Sequence, residues 1–221
     1  MTEQKKSFLT VSPEHTAIFT NGIWEKQAYK NPKTGKPQGK EVYQYVALFD
    51  GDADISDMKK KAVEAAKAEF GPNVDLKSVR FPFKSGNAEA DRILAKAQKT
   101  AQERGEDPKK TEKDVAFYRG KIVMKTTSAY APKVVDNNGD DLLDHDKIYG
   151  GVKVRSEFNF RATEITEGEE TKRYVSAYVN FIMKTGDGPR IGGGGRSAKE
   201  VFKGLLGGST TEDPTSDIDI E

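Results

Sequence analysis

The chain has 221 residues, 35% hydrophobic and 32% charged, with a net charge of +1 and no cysteine. That composition supports one modest core with appendages and excludes a disulfide framework, a zinc thiolate site and a cysteine nucleophile. Residues 1–20 lack the apolar stretch of a signal peptide and no run is long enough to cross a bilayer, so a soluble cytoplasmic protein is expected.

In chain order, 15-HTAIFTNGIWEKQAY-29 reads as a strand pair, or a strand with a turn, at Asn21-Gly22. Residues 30-KNPKTGKPQGK-40 form a basic loop, and 41-EVYQYVALF-49 is apolar and aromatic throughout, as in a strand covered on both faces. Ser56 or Asp57 caps a helix that runs to about Phe70 and stops at Gly71-Pro72. Residues 76-LKSVRFPF-83 are extended, with Pro82 marking an edge or a strand end. The first half of 86–114 is helical but has only Ile93 and Leu94 as large aliphatics, so about 84–114 is expected to be a solvated, charged insertion.

Strands follow at 120-GKIVMKTTSAY-130 and 132-PKVVD-136, then at 152–162 and 174–184 on either side of a turn at 167-EGEET-171. Alternation in the first of the long pair puts Val152, Val154, Phe158 and Phe160 on one face and Lys153, Arg155, Glu157, Asn159 and Arg161 on the other. In the second, Val175, Ala177, Val179, Phe181 and Met183 form the core face; Tyr174, Ser176, Tyr178, Asn180, Ile182 and Lys184 form the other. A row of cations beside two tyrosines has the composition of a single-strand platform, where rings stack on bases and Arg or Lys follow the phosphates. An ordinary half-exposed hairpin uses the same residue types. Lys125 and Lys133 on the preceding strands, and Arg190 and Arg196 on the following loop, extend the basic set.

The glycine-rich 184-KTGDGPRIGGGGRSAKEVF-202 is no phosphate loop: the Walker spacing needs glycine where Arg190 stands. Ser197 and Glu200 make a capping box before Val201 and Phe202. The acids of 136-DNNGDDLLDHD-146 fail the calcium-loop pattern, since its sixth and twelfth positions are Asp141 and Lys147. Asp136, Asp140 and Asp144 around a metal ion would make a nuclease or resolvase, but a solvated turn is equally acidic. His15 and His145, in polar surroundings, show no catalytic partner in sequence, and Trp24 reads as a core or loop anchor. Last comes the charge asymmetry: residues 1–208 carry +6 and the final thirteen carry −5. The tail 209–221, hinged at Gly207-Gly208, has too few apolar residues to fold alone and is expected to compete with phosphates for the basic body.

Residues 129-AYAPKVVD-136, 148-IYGG-151, the strand ending Phe158-Asn159-Phe160, 178-YVNFIMKTGDGPRIGG-193 and Ala198 to Phe202, in that order, resemble a bacteriophage single-stranded-DNA-binding family once catalogued as a domain of unknown function. The resemblance implies an OB-type barrel that coats single-stranded DNA during phage replication or recombination, within the infected host's cytoplasm. It makes 186-GDGPRIG-192 a strand-exit turn and brings Tyr149 into the candidate set. The tail ends in Ile220-Glu221, unlike the Pro-Phe tip of bacterial relatives, which puts recruitment of the usual host proteins in doubt.

The expectation is therefore a mainly β (α+β) OB-fold-like antiparallel barrel over 1–208, with added helices and a disordered acidic tail at 209–221. It binds single-stranded DNA without catalysis, metal or cofactor. The binding residues are Lys125, Lys133, Tyr149, Lys153, Arg155, Arg161, Tyr174, Tyr178, Lys184, Arg190 and Arg196. Replication proteins are candidate partners of the tail. A metal-dependent nuclease and a replication-protein adaptor remain the alternatives.

Overall fold

The computed structural model describes residues 7–30, 37–167 and 170–191. Among them the strands are β1 (Leu9–Val11), β2 (His15–Ile18), β3 (Gln27–Lys30), β4 (Pro37–Val42), β5 (Val46–Asp50), β6 (Val79–Arg80), β7 (Phe83–Ser85), β8 (Lys121–Thr127), β9 (Lys133–Val135), β10 (Lys153–Glu167) and β11 (Glu170–Gly186). The helices are α1 (Asn21–Trp24), α2 (Ser56–Phe70), α3 (Gly86–Arg104) and α4 (Glu112–Val115).

Five strands close a ring in the order β10, β2, β5, β8, β11, with β11 returning to β10. The result is a mainly β protein built on a closed five-stranded barrel, in which β8 and β11 run parallel and the other ring ladders antiparallel. β1 extends the ring on β10, β7 on β8, and β6 and β9 on β11, while β3 and β4 pair only with each other.

The core follows from strand alternation. Val152, Val154, Phe158 and Phe160 point inward as expected and meet Tyr45, Ala47, Phe49 and Met124. Helix α2 adds Met58, Ala62, Ala65 and Ala66, spaced to share one face. Its first turn is held by the Asp54 carboxylate, which accepts from the Ser56 amide at 3.0 Å, so neither Ser56 nor Asp57 caps it. Asp57 instead accepts the Thr10 hydroxyl, tying α2 to β1.

Two expectations change. Of the two readings at Asn21-Gly22 the strand pair falls and the strand with a turn stands: after β2, Asn21 opens the helical turn α1, because Gly22 and Ile23 are drawn into the core. A Cβ at Gly22 would lie 2.3 Å from the Gln44 carbonyl oxygen, so the glycine serves close approach. The stretch 86–104 is also no solvated insertion. Ala90, Ile93 and Leu94 of α3 pack on Ile18, Val46, Leu48 and Val123, the outward side chains of β2, β5 and β8. Small alanines allow that approach with few large aliphatics.

The seam between β10 and β2 has only two paired positions, and a buried polar network bridges it. His15 Nδ1 lies 3.2 Å from the Pro13 carbonyl, to which it donates, leaving Nε2 to accept from the Tyr45 hydroxyl at 3.0 Å. Tyr45 meets Ser156 Oγ at 2.7 Å, and the Ser156 amide donates to Ser12 Oγ at 3.0 Å. His15 is thus buried among hydroxyls and the rings of Phe49 and Phe158, not in the polar surroundings expected of it. Burial pulls its pKa down to about 4, with the Lys153 charge adding to the effect against the Pro13 hydrogen bond.

Candidate nucleic-acid interface

β10 and β11 form a ribbon of 15 and 17 residues whose inner side chains fill the barrel. Its outer face is a lattice of cross-strand rows. From one end these are Arg80, Tyr174, Thr163; then Ser176, Arg161; then Thr127, Tyr178, Asn159, Leu9; then Lys133, Phe181, Glu157, Val11; and finally Val135, Met183, Arg155. Lys125 of β8 emerges on the same side, two residues before Thr127.

The two tyrosines are held by arginines. The Arg161 guanidinium lies 5.0 Å from the Tyr178 ring centre and that of Arg80 lies 5.5 Å from the Tyr174 ring centre. Such exposed pairs are worth about 0.5–1 kcal/mol each. They orient the rings and place a cation beside each stacking surface. The tyrosines stand four positions apart on β11, about 13 Å at the strand rise.

A β-bulge overturns the expected phase of β11. Glu157 pairs with Phe181 but Phe158 pairs with Val179, so Asn180 is the extra residue and alternation shifts after it. Ile182 is fully buried in place of Phe181, which is 47% exposed and turned outward beside Lys133 and Glu157. Met183 likewise leaves the core. The three consecutive apolar residues 181-FIM-183 carry the signal of this slip, since no alternating strand contains such a run on one face. Leu9 and Val11, 42% and 63% exposed, continue the apolar surface across β10. Tyr130, 84% exposed in the β8–β9 connection, was named in sequence but not as a site residue; neither was Arg80.

The expected site residues divide into two groups. Lys125, Lys133, Arg155, Arg161, Tyr174 and Tyr178 share the open ribbon face. Lys125 and Lys133 also reach Glu89 at 3.6 Å and Asp141 at 2.9 Å. Tyr149, Lys153, Lys184 and Arg190 gather instead around the exit from β11. The same bulge at Asn180 takes Lys184 out of phase with the tyrosines and pairs it with Val154, and its amine meets Asp187 at 2.7 Å, which holds that carboxyl below the usual range. Lys153 donates to Thr16 Oγ1 at 3.0 Å. The Tyr149 hydroxyl donates to the Gly188 carbonyl at 3.0 Å and accepts from the Gly188 amide at 3.2 Å, with Arg190 over its ring at 4.4 Å. A Cβ on Gly151 would meet the Pro189 oxygen at 1.9 Å, so this turn folds flat against 149–151. The described part of 186–192 is thus a strand-exit turn, as the resemblance implied. Arg196, the 197–202 capping box and the tail lie outside the described residues.

The acidic stretch is organised as a turn. Asp136 Oδ1 accepts from the amides of Asn138 at 2.8 Å and Asp140 at 3.0 Å. Among the described residues no three His, Asp or Glu side chains are grouped to hold a metal ion. His145 stacks on Trp24 with ring centres 3.9 Å apart, which anchors this stretch to α1.

A family model described as "Enterobacter phage Enc34, ssDNA-binding protein" matches residues 31–215. The solved single-stranded DNA-binding protein from bacteriophage Enc34 has a TM-score of 0.54 to this chain at 14% identity, covering 91% of this chain and 97% of that one. The same phage protein in complex with ssDNA gives 0.53 at 16% identity, covering 87% and 97%. At such identities these likenesses show the fold. No curated protein matches the chain in sequence.

Proposed function

Because the chain belongs to the family of the Enterobacter phage Enc34 ssDNA-binding protein, we propose that it binds and coats single-stranded DNA during phage replication or recombination, with little sequence preference and without catalysis. The observation that carries the reading is the uncovered ribbon face, where Tyr174, Tyr178 and Phe181 alternate with Lys125, Lys133, Arg155 and Arg161. Rings accept any base, because every base has a π-face, and the cations supply sequence-independent attraction to phosphate. The exit-turn group acts structurally, fixing the end of β11, and contributes through Arg190 only if the strand continues past Met183. The acidic tail is a handle for replication proteins. Action in the infected host's cytoplasm follows from the same reading; no described helix is long and apolar enough to cross a membrane.

If the four ribbon cations each neutralise one phosphate, affinity for single strands falls with a log–log salt slope of about −2.8. Titrations of labelled single-stranded DNA, duplex DNA and RNA across a salt series, with and without magnesium, test this. The expected result is preference for single strands, that slope and intact DNA. A slope near zero would sink the platform, and magnesium-dependent cleavage would restore the nuclease reading.

A further inference from the structure

A second surface feature shares no residue with the ribbon face. Between α3 and the segment that follows it lies a groove of about 370 Å³, floored by Ile93, Ala97 and Ala101. Four cations, Arg92, Lys96, Lys109 and Lys110, stand on its rim against two acids, Glu106 and Asp107. Arg92 is paired with Glu89 at 2.7 Å and Lys109 with Glu106 at 3.7 Å, whereas Lys96 and Lys110 have no ion-pair partner among the described residues. An apolar floor beside unpaired lysines fits an apolar side chain flanked by carboxylates.

The chain carries that combination elsewhere on its own surface. Residues 136–146 hold five aspartates and no lysine or arginine, and Leu143 in their midst is 84% exposed. The turn is fastened on both sides of it. The amide of Leu142, itself buried, donates to the Val134 carbonyl at 3.0 Å, and His145 stacks on Trp24. Asp141 and Asp144 meet Lys133 at 2.9 Å and Lys147 at 4.0 Å, whereas Asp140 and Asp146 have no cationic partner among the described residues. Leu143 is thus held out in water by a preorganised frame, and docking it costs little ordering.

We propose that the groove takes the Leu143 turn of a second copy of this chain, with Leu143 on the apolar floor and the flanking aspartates against Lys96 and Lys110. The groove belongs to α3, which packs over β2, β5 and β8, and the turn follows β9, which pairs with β11. Each copy therefore offers one groove and one turn on separate surfaces. A contact between unlike surfaces is head-to-tail, and it repeats from copy to copy instead of closing about a two-fold axis. A row of copies is what coating a strand produces, and only this consequence rests on the function proposed above. The contact is small and its charge pairs are screened by salt, so it is weak between free copies. Neighbours bound to one strand meet at a far higher effective concentration, and there it is populated.

The chain has no cysteine, so Leu143→Cys and Ala97→Cys in the full-length protein each carry a single thiol. Mixed and treated with a short bis-maleimide, the two variants should give mainly a linked pair containing one of each, in preference to either self-linked species. The yield should rise on long oligothymidylate. The same linkage at high protein concentration without DNA reads the contact even if DNA binding itself fails. Lys96→Glu with Lys110→Glu should leave unchanged the affinity for an oligonucleotide that holds one copy. The extra affinity gained per copy on a long strand should fall by about 5-fold in that variant. No mixed pair in either condition, as for a groove that serves another protein, would overturn the proposal. So would self-linked Leu143→Cys in equal yield, or unchanged cooperativity in the charge variant.

Discussion

The barrel wall has two outer faces with opposite fates. Over β2, β5 and the start of β8 the helix α3 seals the wall, and there even the outward residues Ile18, Leu48 and Val123 are buried. Over β11 and its neighbours β10 and β9 no described element covers the wall, yet it carries Leu9, Val11, Tyr178 and Phe181. On the sealed side apolar side chains are explained by packing. On the open side they are not, and apolar area left in water with cations around it marks a binding surface. The contrast teaches which face to assign to DNA.

The inner side of the same ribbon gives the sharpest contrast. Phe160, fully buried, and Phe181, half-exposed, lie on the same ribbon, one facing inward and one outward. Phe160→Ala should cost about 3–5 kcal/mol of stability in chemical denaturation, and a loss below ~1 kcal/mol would mean that the barrel is not packed as described.

Acid should weaken the barrel seam. Folded His15 titrates near 4 and unfolded His15 near 6.5, so only the unfolded chain takes up this proton between those values. The stabilisation is complete above about pH 6.5 and is lost as pH falls toward 4, roughly 3 kcal/mol in all. The difference in denaturation midpoint between wild type and His15→Gln, followed from pH 7.5 downward, checks this. Parallel pH curves would show that His15 is not buried neutral.

On the open face, Tyr174→Ala and Tyr178→Ala should each weaken single-strand binding by roughly 1–3 kcal/mol with little change in stability. Smaller still, Arg155→Ala should make the salt slope shallower by about 0.7 while leaving duplex DNA binding weak. An unchanged slope would place Arg155 off the phosphate path, and the boundary of the open face would move inward.

Much of this was legible in the sequence, for physical reasons that also explain the failures. Alternation identified the inward residues of β10 because one face of that strand meets the core and the other water. It failed at Phe181 and Lys184 because a bulge costs one residue and leaves composition unchanged, so only the 181-FIM-183 run betrays it. The role of α3 was missed because a helix that packs through alanines looks solvated when only large aliphatics are counted. His15 was misplaced because Tyr45, its partner, and Ser156, which bonds Tyr45 in turn, come from distant segments that barrel closure alone brings together. The cations of the exit turn were grouped with those of the ribbon because sequence proximity cannot distinguish the two ends of one strand.

The central claim is that single-stranded DNA lies on the open ribbon face, and Phe181 tests it most directly. Phe181→Ala should leave the denaturation midpoint near that of the wild type while weakening binding of a labelled oligonucleotide by roughly 5- to 150-fold, the equivalent of ~1–3 kcal/mol. An unstable variant that binds normally once folded would contradict the account, because it would return Phe181 to the core and the DNA to another face.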